Sequence, residues 1–291
     1  MSNINKALLA ILIGSLFGGA SSTITKIGLF EIPPYSFSFL RFFISALFIL
    51  PWFIKGLKKF DKNLMILILV SLLPIINIAL FVFGVKTTTA SIGQLLYAGS
   101  PIIVVLLSFL YLKEKVSLKK LFYVFIGLAG TFLVIFLPLI QKNSSFSGDL
   151  TGNVLISVGV LFYSLYLVLS KPLHQKYSPE FITSVFIILG TVVFFFLSLT
   201  ELNTQYWLYL SAPSIYSVLF IAIFGTVLVY ILGQYAIKWG SSLISSLSFY
   251  LLPIFAFIYA FFLLGETMTI GLIVGTVLVF LSVFLTTYSK K

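Results

Sequence analysis

Long uncharged runs separated by short polar clusters make up nearly the whole chain. A helix needs about 20 apolar residues to cross a bilayer. Runs of that order occupy 7–25, 63–85, 87–112, 121–141, 150–170, 181–200, 239–265 and 267–289. Residues 202–237 are also uncharged, but Asn203, Thr204, Gln205 and Pro213 make the front of that run a loop, leaving about 213–237. Residues 32–54 contain one charge, Arg41, and still read as a run of the same kind. The pattern predicts an all-α integral membrane protein with ten transmembrane helices. The first run follows Lys6, as a secretory leader would, yet it lacks a small-x-small cleavage site and nine more runs follow; it reads as an uncleaved first helix.

Composition agrees with a lipid-facing surface. The chain of 291 residues is 60% hydrophobic and 9% charged, with mean hydropathy +1.18. A soluble domain would carry roughly a quarter charged residues. Cysteine is absent, which removes disulfides, thiolate metal sites and a thiol nucleophile. The net charge of +11 would suggest nucleic acid in a soluble protein. Here it sorts by side of the membrane instead. With the N-terminus inside, fourteen lysines fall in inner segments, only Lys26, Lys86 and Lys142 fall in outer ones, and Arg41 lies within a run. Both termini are therefore expected in the cytoplasm. Lys113, Lys115, Lys119 and Lys120 stop the fourth helix at the inner surface, and Tyr206, Trp207 and Tyr209 suit an outer interfacial belt.

The chain repeats itself. Lys86, Pro101 and Glu114 recur as Lys238, Pro253 and Glu266 at an offset of 152, and Lys26 and Pro34 recur as Lys171 and Pro179 at 145. Each half, 5–140 and 148–289, then holds five helices. Five is odd, so matched helices cross in opposite directions. Two inverted five-helix repeats with a site between them near the midplane are the layout of many secondary transporters.

These residues resemble the EamA-type branch of the drug/metabolite transporter superfamily. The likeness rests on Ile13-Gly14-Ser15, Lys26, Pro33 and Arg41, the Pro101 to Glu114 element, its copy from Pro253 to Gly265-Glu266, and Gly271 and Gly275 in the last helix. It covers about residues 7–288. Ile13 stands where the family often has Trp, Lys113 where the second half has Gly265, and Tyr123 where it has Gly275. The resemblance implies a ten-helix carrier that moves small organic metabolites, often outward.

Candidate residues follow from what lipid tolerates. Arg41 lies deep in an apolar run, no acid occupies any run, and a central Arg costs about 2.5–3.5 kcal/mol on insertion scales. Either it offers a forked donor to an anionic substrate group, or carbonyls at helix ends satisfy it. Asn77, Gln94, Tyr97, Tyr163, Tyr166, Tyr230, Ser246 and Tyr250 are further candidates for a cavity wall, with Gln94 and Ser246 at matched positions of the two halves. Serines also line helix contacts. Lys26, Pro101, Glu114, Pro253 and Glu266 are candidates for gating or structure, the two glutamates as caps on the following helix. His174 reads as a solvated inner-loop residue. Without buried acids, facilitated transport or exchange is favoured over a built-in proton relay.

No catalytic residues, metal or cofactor are expected: intramembrane proteolysis needs paired aspartates or a serine with a histidine in the bilayer, and a channel needs charge rings or carbonyl filters. The chain is expected to be a secondary-type transporter of small metabolites, amino acids and related compounds first and export favoured. Import or exchange of another metabolite, or a nucleotide-like or cationic drug substrate, is the alternative. It is placed in the cytoplasmic (inner or plasma) membrane, with a small-molecule substrate and the lipid bilayer as partners, no nucleic acid, and a homodimer left open. Helices 1, 3, 4, 6, 8 and 9 would line the cavity.

Overall fold

Several helices begin where the sequence offers an oxygen to a free backbone N–H. Ser2 accepts from Asn5 ahead of α1 (Asn3–Gly19). Asp149 accepts from Gly152 ahead of α7, and Ser178 from Phe181 ahead of α8. Each such cap stabilises a helix by about 1 kcal/mol. The computed structural model describes residues 1–57, 62–88, 93, 96–141, 149–201, 210–264 and 270–289. After α1 come α2 (Ser21–Glu31), α3 (Pro34–Gly56), α4 (Lys62–Thr87), α5 (Ser100–Leu112), α6 (Leu118–Gln141), α7 (Leu150–Leu169) and α8 (Pro179–Ser198). Then follow α9 (Ala212–Phe220), a π-helical segment Ile221–Leu228, α10 (Val229–Trp239), α11 (Ser242–Ser246), α12 (Ser248–Leu264) and α13 (Ile270–Tyr288). Among the described residues there is no strand. Six helical stretches there are long and apolar enough to cross a membrane, and three apolar helices are shorter.

Several predicted runs are not single helices. The first breaks at Ala20 between α1 and α2, where Gly18, Gly19, Ser21 and Ser22 leave little side chain to hold the turn. Gly19 also lies so close to α12 that a Cβ would sit 3.0 Å from the Leu252 carbonyl oxygen. The run 213–237 contains the π segment, and 239–265 breaks at Leu247 between α11 and α12. In 87–112, α5 starts only after a turn at Ala98–Gly99. Pro101 sits in its first turn, where the missing N–H costs nothing. Pro253 lies inside α12 and Pro74 inside α4.

Packing follows a pattern of exchange between the halves. α4 lies along α7 and α1 along α10; α5 meets α7 and α12 meets α1; α3 pairs with α8 and α6 with α13. Swapping each helix for its sequence counterpart returns the same set of pairs. Glycines let the backbones close. A Cβ on Gly84 would fall 2.8 Å from the Gly152 oxygen, and one on Gly130 would fall 2.8 Å from the Gly275 oxygen. Loop acids tie the halves together. Glu31 accepts from the Ser211 N–H and hydroxyl at 2.9 and 3.0 Å, and Glu201 accepts from the Tyr35 and Ser36 N–H groups at 3.1 and 2.7 Å. Each acid thereby caps a helix of the other half.

At the far end, Glu114 pairs with Lys171. This corrects the capping role expected for it: the N–H of Lys120 donates instead to Ser117 Oγ at 3.3 Å. Lys113 has φ 55°, the left-handed conformation that ends α5, with the Glu114 N–H returning to the Ser108 oxygen at 3.2 Å. That position favours glycine, the residue found 152 positions later at 265, so Lys113 carries strain. Glu266 lies outside the described residues.

Two outcomes are expected from thermal melts in detergent. Lys113→Gly should raise stability by about 1 kcal/mol, by removing the Cβ from a left-handed residue; an unchanged or lower midpoint would contradict the strain. Gly130→Ala should lower it by about 1–3 kcal/mol, because its new methyl meets backbone rather than a mobile side chain.

Candidate functional site

The π segment is what holds Arg41. A π turn carries one extra residue and frees backbone carbonyls that an α-helix would bond. Thr226, fully buried in that segment, donates its hydroxyl to the Ile221 oxygen at 2.8 Å. Thr226 Oγ1 in turn accepts from Arg41 Nε at 3.0 Å. One turn along α3, Ser45 donates to the Ala222 carbonyl of the π segment and to Arg41's own carbonyl, at 2.8 and 2.7 Å. The guanidinium carbon stands 5.6 Å from the Phe42 ring. Arg41 is 5% exposed, and Thr226 is its one hydrogen-bond partner among the described residues.

Arg41 opens on a central cavity of about 140 Å³ lined also by Asn77, Tyr97, Tyr163, Tyr230 and Phe249. The rings are packed into a continuous wall: Tyr97 to Phe249 at 5.0 Å, Phe249 to Tyr163 at 5.4 Å, and Tyr163 to Tyr230 at 5.9 Å between centroids. Asn77 Nδ2 donates to the Tyr97 hydroxyl at 2.5 Å, which fixes both against the wall. Ser21, from the second piece of the broken first helix, contributes a buried hydroxyl without a partner among the described residues. Gly225 of the π segment faces it, with room for a Cβ only 3.0 Å from Ser21 Oγ. Broken helix and π segment thus meet at the cavity.

Two larger grooves, about 460 and 440 Å³, run along α2 and α9; the first has Lys26, Glu31 and Ser211 in its lining, and the second is mainly apolar. Lys26 lines one of them and donates to the Thr88 oxygen at 3.1 Å. A recess of about 420 Å³ lies around the Glu114–Lys171 pair and His174. His174 is not the solvated loop residue expected: it sits beside Gln234, and both ring nitrogens are buried without partners among the described residues.

Of the residues expected at the wall, Arg41, Asn77, Tyr97, Tyr163 and Tyr230 come together at the cavity. Tyr166 lies behind it, 6.2 Å from Phe186 and 5.9 Å from Tyr163. Ser246 and Tyr250 are corrections. Ser246 bonds the Leu243 carbonyl of its own turn, and Tyr250 reaches away to the Val124 carbonyl at 2.9 Å. Both are fully buried in helix contacts, so neither side chain is free to line a cavity. Gln94 lies outside the described residues. Thr226, Ser21 and Phe249 were not singled out from sequence. A threonine or serine in an apolar run is too common a signal to single out.

The sequence model of the EamA-like transporter family matches residues 5–136 and 150–288. An uncharacterized transporter of Archaeoglobus fulgidus is 26% identical over 287 residues, covering 97% of this chain and 98% of that protein. The uncharacterized transporter YyaM of Bacillus subtilis is 28% identical over 276 residues, covering 92% and 89%. One solved crystal structure superposes with a TM-score of 0.76 over 98% of this chain and 96% of its own, at 14% identity, a likeness of fold. The chain belongs to the EamA-like transporter family and is a multi-pass membrane transporter.

Proposed function

We propose that the protein carries small carboxylate-bearing metabolites, amino acids and related compounds among them, across the cytoplasmic membrane by alternating access, with export favoured. One observation carries the site. Arg41 is a buried cation with no acidic partner among the described residues, and it faces a central cavity with aromatic walls. A charge left so in the membrane core is costly, and an anionic ligand relieves that cost as it binds. The outward direction rests on the family resemblance alone; an importer or exchanger would use the same cavity.

The layout we propose is ten transmembrane helices in two inverted halves, 5–140 and 148–289, with both termini cytoplasmic. Its support is the repeated Lys, Pro and Glu positions, together with the exchange of helix pairs between halves. Rocking of one half against the other would open the cavity to each side in turn. The Glu114–Lys171 pair joins the halves at the end assigned to the cytoplasm, and would have to part when that side opens.

The absence of cysteine gives a clean background for topology. A membrane-impermeant maleimide on intact cells should label Thr200→Cys and spare Gln175→Cys; the reverse pattern would overturn the orientation. In proteoliposomes, Arg41→Ala should weaken carboxylate uptake by roughly 10- to 100-fold in half-saturation, the worth of hydrogen bonds to a charged group. Arg41→Lys should recover part of the loss. Normal transport by a folded Arg41→Ala protein would end the substrate reading.

A further inference from the structure

Charge around the cavity narrows the anion. Arg41 Nε is spent on Thr226 Oγ1 at 3.0 Å, so the guanidinium edge that includes Nε is closed to a ligand. Its two terminal nitrogens bond nothing among the described residues, and the side chain lines the cavity. What remains is the end-on pair of N–H donors, spaced for the two oxygens of one planar carboxylate.

No acid lines the cavity among its described residues. The described acids are all engaged at helix ends: Glu31 with Ser211, Glu114 with Lys171, Asp149 with Gly152, Glu180 with Tyr235 and Glu201 with Ser36. The other two acids, Asp61 and Glu266, fall between apolar runs of the sequence. The cavity therefore presents one formal positive charge and nothing to face a second. In a low-dielectric space a bound carboxylate brings the total to zero. A zwitterion would leave an ammonium buried without a counter-charge, and the ring faces of Tyr97, Tyr163, Tyr230 and Phe249 repay only part of that loss. A dianion would leave an unpaired negative charge instead.

We infer that the ligand of this cavity is a compact organic monocarboxylate without an ammonium group, held end-on by Arg41 with its short apolar body against the aromatic wall. The volume of about 140 Å³ suits a small acid. This assignment rests on the reading of Arg41 as the anion-binding group, and it selects within the carboxylates proposed above by placing amino acids outside the preferred class.

The test is a thermal melt of the detergent-purified full chain with three probes of one size and shape: isobutyrate, alanine and isobutyramide. Isobutyrate should raise the midpoint, isobutyramide should not, and alanine should need at least about tenfold more for an equal shift. Arg41→Gln should abolish the isobutyrate response. Should that variant fail to fold, the ranking of the three probes on the unaltered protein decides the matter by itself. If alanine matches or exceeds isobutyrate and Arg41→Gln removes both responses, Arg41 still binds the anion but the monocarboxylate assignment is wrong. If isobutyramide works as well as isobutyrate and Arg41→Gln changes nothing, both readings fall. Absence of any isobutyrate response up to roughly 50 mM, where a site of millimolar dissociation constant is saturated, also overturns the assignment.

Discussion

In the hydrocarbon core no water is present to bond a backbone group, so each N–H and C=O must find its partner within the protein. This constraint shapes every irregularity in the molecule. Where the helices stay α-helical they satisfy themselves. Near the breaks, serine hydroxyls find backbone oxygens on neighbouring helices. Ser15 reaches the Ser248 carbonyl across the break between α11 and α12, Ser245 reaches Gly233, and Ser242 reaches Leu167. Ser45 and Thr226 do the same for the π segment at Ala222 and Ile221. The serine-rich stretch near residue 245 is thus a set of backbone partners before it is anything else.

Those irregularities surround the cavity, and the reason is again polar satisfaction. Arg41 cannot lie bare in lipid, and a regular apolar helix offers it no acceptor. The π segment brings Thr226 to its Nε while keeping its own carbonyls bonded. The broken first helix brings Ser21 and Gly18 to the same space. Arg41, Asn77 and Tyr163 reach the cavity from α3, α4 and α7, and the broken helix and the π segment add Ser21 and Thr226.

Outside the cavity the halves are joined by close backbone approach and by acids at helix ends. Gly84 against Gly152 and Gly130 against Gly275 bring helices near enough for dispersion to act over their length. Glu31 and Glu201 each cap a helix of the opposite half, contacts with the directional strength of charge-assisted hydrogen bonds. The same acids, being used at the ends, are absent from the middle. That division of labour leaves Arg41 as the cavity's charge among the described residues.

Much of this was legible along the chain. Hydrophobicity sums over about twenty residues, so the apolar runs located the helices, and Arg41, Asn77, Tyr97, Tyr163 and Tyr230 stood out because large polar groups in lipid require partners. Tertiary structure alone decided the rest. The breaks at Ala20 and Leu247 and the π segment depend on which neighbour takes the freed carbonyls, and those neighbours are distant in sequence. Tyr230 faces the cavity and Tyr250 does not, though both are tyrosines in apolar runs, because Tyr250 found the Val124 carbonyl first. Glu114 met Lys171 rather than the next helix, and His174 was drawn into the protein beside Gln234. Sequence states which groups need partners in a membrane; packing chooses the partners, because that choice is made by helices that meet only after the chain has folded.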